Sequence, residues 1–156
     1  MEKVVRNLIE YNGISTYTYS TKNFRQFNIE QMDNISNKRA DVDQILKVWV
    51  ETKVIDTEVI KTPIGSSTEG QVATGKKLLV CGDIDIKIEY VSCDTVQNIY
   101  VENFMIPFGT YVVLPHNFNE HGIVSATIMV EDISSIKINP RCIYNNITLM
   151  AIADIY

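Results

Sequence analysis

Between Leu78 and Val91 the chain alternates. Leu78, Val80, Ile84, Ile86, Ile88 and Tyr90 share one parity, while Cys81, Asp83, Asp85, Lys87 and Glu89 share the other. A period of two with β-branched residues predicts a strand with one dry and one wet face. On this reading the paired carboxylates Asp83 and Asp85 are solvated outward residues rather than an acidic site. Residues 100–114 repeat the pattern through Tyr100, Phe104, Ile106, Phe108, Val112 and Leu114, with Pro107 and Gly109 interrupting. Proline cannot donate to a ladder, so this strand is expected at an edge or bulged. In 48–61 the apolar parity set by Val48, Val50 and Val54 slips at Val54–Ile55, as a bulge would produce. Residues 122–133, 135–138 and 147–155 are further strands, the last apolar on both parities and so expected to be buried on both faces. Only 40–46 carries a helical start signal, with Asp41 as N-cap and Gln44 three residues on. Many strands, polar turns and little helix predict an all-β, antiparallel, sandwich-like single domain with at most one or two short helical turns. Residues 1–39 read as an arm with lead-in strands, and 40–156 as the β domain.

Composition narrows the function classes. The 156 residues are 46% hydrophobic and 21% charged, which describes a globular chain long enough for a real core. The net charge of −5 argues against nucleic acid and anionic membrane surfaces as partners. No apolar run reaches the ~20 residues of a membrane span, and charges interrupt the N-terminus where a signal-peptide core would lie. Cys81, Cys93 and Cys142 form neither zinc-binding pairs nor an even disulfide set. They are expected to be reduced, with an intermolecular cross-link as the alternative.

Several residues raise chemical questions. Gly70–Lys76 spells G-x-x-x-x-G-K, the opening of a phosphate-binding loop. That motif needs Ser or Thr next and a helix whose free N–H groups hold the phosphates. Position 77 is Lys, and the best strand of the chain follows, so the stretch is expected to be a loop feeding a strand. His116 and His121 lie five apart in a turn-rich segment, whereas helical zinc pairs stand four apart. A hairpin loop is the simpler reading. Trp49 has the parity opposite to Val48 and Val50 and is expected in a second core face, with an exposed anchor as the alternative. The stripe Tyr100, Phe104 and Phe108 is expected in the core rather than as a carbohydrate platform.

Three stretches resemble a known family: "RADVDQILKVWVETKVIDTEVIKTPIG" (39–65), "EGQVATGKKLLVCGDIDIKIEYV" (69–91) and "QNIYVENFMIPFGTYVVLP" (97–115). Asp41–Leu46, the turn from Glu69 to Leu78, Lys87–Val91 and Pro107–Pro115 fit the pattern of the SPOCS domain, found in spore coat and spore-morphogenesis proteins of clostridia and their relatives. The resemblance covers about residues 20–155. It implies a component of the spore surface, in coat or exosporium, made in the mother-cell cytoplasm without a signal peptide. It implies no catalytic residues and no cofactor, and it gives the G-x-x-x-x-G-K stretch no nucleotide role. Relatives often carry several copies or an added LysM domain; this chain has one copy, so a role resting on that domain does not transfer. The expected activity is non-catalytic: association with itself, as a homo-oligomer, or with other coat proteins. Cys81, Cys93 and Cys142 are the candidate cross-links, and Trp49, Tyr17 and Tyr19 the candidate contact residues. The alternative is a module that binds a spore-envelope glycan or peptidoglycan through those aromatics.

Overall fold

The computed structural model describes residues 2–16 and 23–156. All its elements are strands: β1 (Glu2–Arg6), β2 (Ile9–Ile14), β3 (Phe24–Asn34), β4 (Val42–Ser66), β5 (Val72–Ser92), β6 (Ile99–Val113), β7 (Val124–Asn139) and β8 (Cys142–Ile155). They form a five-stranded sheet in the order β1-β2-β4-β5-β6 and a three-stranded sheet in the order β3-β8-β7. Every pairing is antiparallel except β2 with β4, which is parallel because the chain visits the other sheet, as β3, between them. The segment 1–39 thus supplies strands to both sheets.

The alternation seen in the sequence sets which side chains meet between the sheets. Ile84, Ile86, Ile88 and Tyr90 of β5 face Ile143, Ile147, Leu149 and Ala151 of β8 in one core, all at 1% exposure or less. Each such large aliphatic side chain stabilises the fold by about 1.5–3 kcal/mol relative to an exposed position. Phe104 and Phe108 of β6 are buried beside them and Tyr100 packs against the cluster, as expected for a core stripe. Asp83 and Asp85 point away from it. In β8 the parity of Ile143, Ile147 and Leu149 is fully buried and the other is half-covered, so the strand is dry on both sides only at Ala151–Ala153. Gly82 of β5 has no room for a side chain, since a Cβ there would lie 2.1 Å from the Lys53 carbonyl oxygen.

The helical start at 40–46 does not form, and no helix occurs among the described residues. Val42, Ile45 and Val48 are all buried at a spacing of three, which imitates a helix face. Here that spacing arises from two bulges, between Val42 and Gln44 and between Ile45 and Lys47, each inserting one residue into β4. The slip at Val54–Ile55 is a third bulge, between Val54 and Asp56. Pro107 sits on β6, an edge strand whose register with β5 is unbroken.

Polar links tie the sheets together. Arg6 of β1 donates to Asp132 of β7 at 2.6 Å, and the Ser135 N–H donates to the Tyr11 hydroxyl at 3.0 Å. The Tyr90 hydroxyl donates to the Ala40 carbonyl at 2.8 Å. Arg141, between β7 and β8, donates to the carbonyls of Ile35, Ser36 and Arg39 at 2.8–2.9 Å, which holds the crossover from β3 to β4.

Candidate functional site

The G-x-x-x-x-G-K stretch lies in the β4–β5 hairpin. The turn closes through Ser67 N–H to the Gln71 carbonyl and Gly70 N–H to the Ser67 carbonyl. Gly75 has φ +92°, a conformation glycine adopts without steric cost, beside an irregularity between Lys61 and Ile64. From Val72 to Ser92 the chain is one strand, so Lys76 stands in a ladder and not before a helix. The Lys76 ammonium donates to the Phe118 carbonyl and the Thr74 hydroxyl to the Leu114 carbonyl. Both contacts pin the loop that follows β6.

Trp49 is not in a second core. Val48 and Val50 face inward, so Trp49 must project from the outer face of the five-stranded sheet, where it is half-buried. The Lys87 ammonium lies 5.1 Å from its ring centre, and Glu51, Asp85, Asn103 and Met105 line the same shallow hollow. Tyr17 and Tyr19 lie outside the described residues.

The three cysteines are free thiols in three separate places. Cys81 is exposed on β5, opposite Asp56 and Gly109. Cys93 is exposed in the loop after β5, its N–H donating to the Asp41 carbonyl at 3.0 Å. Cys142 is half-buried at the start of β8, opposite Asn34 and Asn139. His116 and His121 are exposed in the β6–β7 connection. Between them Glu120 pairs with Lys61 at 2.9 Å; the hydrogen bond and charge of Lys61 hold that carboxyl below its usual range. Among the described residues no group of three His, Cys, Asp or Glu is placed to hold a metal ion.

One surface feature is new. On the outer face of the three-stranded sheet, Met32, Tyr144 and Ile136 stand side by side across β3, β8 and β7. Met32 is 64% exposed and Ile136 51%, with the exposed Ile138 two residues further along β7. The row joins positions more than a hundred residues apart. Its local signal is Met32 itself, an apolar residue flanked on its parity by Gln26, Asn28, Glu30 and Asn34, with Phe24 at the far end of the strand.

Two packed sheets, with no helix among the described residues, define an all-β sandwich domain. The chain belongs to the SipL, SPOCS domain family, whose model matches residues 41–138. Membership points to a role in sporulation. Comparisons with curated proteins and with solved structures give no match.

Proposed function

We propose that this protein is a non-catalytic structural component of the spore surface, in coat or exosporium, made in the mother cell and acting by association with itself and with other coat proteins. The observation that carries this reading is the exposed row Met32–Tyr144–Ile136, extended by Ile138. Contiguous apolar side chains on an outer sheet face are costly in water and mark contact surfaces. Cys142 lies at the end of the same sheet, two residues before Tyr144, where a thiol on one chain can meet another. The family supports the cellular setting. Light scattering and electron microscopy test the reading. The purified protein is expected to form oligomers or arrays, and a Met32→Glu/Ile136→Glu variant to disperse them while keeping its thermal transition. A strictly monomeric protein at high concentration, or assemblies indifferent to the variant, overturns it.

The hollow around Trp49 favours a second reading, a module that binds an envelope glycan, because an indole flanked by Glu51, Asp85 and Asn103 offers stacking and hydrogen bonds. The Lys87 ammonium over the ring competes for that stacking face. Retention on spore peptidoglycan that Trp49→Ala abolishes would favour this second reading over the first.

A further inference from the structure

A concavity of about 880 Å³ lies beneath the β4–β5 hairpin. Its walls come from the hairpin tip, the end of β6 and the start of β3. Among the described residues three cations line it, Arg25, Lys76 and Lys77, and no Asp or Glu does. The Arg25 guanidinium lies 3.8 Å from the Tyr111 ring centre and the Lys77 ammonium 4.5 Å from the same centre. Among the described residues, none of the three has a carboxylate within ion-pair distance. Of the acidic groups around it, Glu120, whose charge reaches Lys76, is paired with Lys61, Glu131 accepts from the Gln26 amide, and Glu58 stands one row further along the sheet, level with Tyr111. Like charges gathered in a concave wall repel one another and focus a positive potential. In a chain of net charge −5 this cluster is a local reversal of sign.

We propose that this groove docks an extended acidic segment of a partner polypeptide. Charge complementarity selects the anionic class. The walls then select its form. Phe24, Val72 and Val113 stand exposed between the cations, so a bare phosphate would leave apolar surface wet. An extended strand alternates its side chains with period two and can offer carboxylates and apolar groups together. β3 and β6, which form two of the walls, are the outer strands of their sheets, and among the described residues the outer side of each has no strand paired to it. An acidic glycan fits less well: among the described residues the aromatic ring in the lining besides Phe24 is Tyr111, and two cations already occupy it. This partner chemistry rests on the protein–protein reading above but uses a different surface from the Met32–Ile136 row.

The test is fluorescence anisotropy with a labelled peptide of alternating Glu and Val. It uses the dispersed Met32→Glu/Ile136→Glu protein as well as wild type, so that failure of self-assembly and failure of docking are read separately. Binding is expected in both, and is expected to weaken steeply as salt is raised. Arg25→Gln/Lys77→Gln is expected to weaken it at least about tenfold, on the order of one charge-assisted hydrogen bond or more lost. Lys87→Gln, on the same sheet face but ten residues further along β5 from Lys77 and outside the groove, is expected to leave it unchanged. No binding of the peptide, or equal binding by the double variant, overturns the proposal. Polygalacturonate competing as tightly as the peptide overturns the polypeptide assignment.

Discussion

Tyr90 shows how one side chain serves both packing and chemistry. Its ring is fully buried in β5, stacked 5.9 Å from Tyr100, while its hydroxyl reaches out to the Ala40 carbonyl. Burial, and then the nearby Glu102 carboxylate, push the hydroxyl up from its ordinary 10.0. A raised folded-state pKa means that the unfolded chain ionises first. The stabilisation is therefore complete below pH 10.0, the unfolded value, and is lost as pH rises through the higher folded value. Tyr90→Phe is expected to cost about 1 kcal/mol near neutral pH through the lost hydrogen bond. Its stability is also expected to fall less steeply above pH 10.0 than that of wild type. Denaturant titrations across that window check both, and parallel curves would refute the assignment. The alternation predicted that Tyr90 points inward. It gave no hint of Ala40, fifty residues earlier, because the partner is set by where the β3–β4 crossover lands.

The strands were legible where apolar parity persisted and misread where bulges broke it. β5 and β6 follow strict alternation, so pattern and burial agree. β4 begins with two bulges in four residues, which turn a period of two into an apparent three and mimic a helix start. Trp49 follows from the same strand: once Val48 and Val50 are inward, its outward position is forced. The crossover before β4 has no apolar pattern at all and depends on Arg141, far along the chain. Removing that guanidinium leaves the carbonyls of Ile35 and Arg39 without this donor, while that of Ser36 keeps the Arg39 N–H. Arg141→Ala is expected to destabilise the protein by roughly 1–2 kcal/mol and to speed amide exchange across residues 35–42. Exchange rates unchanged in that segment would show that the two flanking main-chain bonds, Ile35 to Arg141 and Val42 to Pro140, hold it alone.

For the molecule as a whole, the family match and the folding unit have different limits. Residues 41–138 contain β4, β5, β6 and nearly all of β7. They omit β8, the middle strand of the second sheet, together with β1, β2 and β3. Without β8, neither β3 nor β7 has a partner in its sheet, and the inward face of β5 has nothing opposite it. A fragment of residues 41–138 is therefore expected to show no cooperative thermal transition by circular dichroism, whereas the full chain unfolds in one step. A sharp transition in the fragment would mean that the five-stranded sheet closes its core without the second. The same placement bears on assembly, since strands of the 1–39 segment are used within their own sheets and not free for exchange.

From the order of its residues alone, this protein is an all-β chain with a glycine-lysine bend that feeds a strand. Alternation fixes which face of each strand is dry, and that is a local property. The partners were decided only on folding: which strand lies beside which, that Met32, Tyr144 and Ile136 form one row, and that Arg25, Lys76 and Lys77 share one groove. Such contacts join residues separated by tens to more than a hundred positions. They depend on the register of long-range pairing and on the paths of the crossovers, and no local periodicity encodes either.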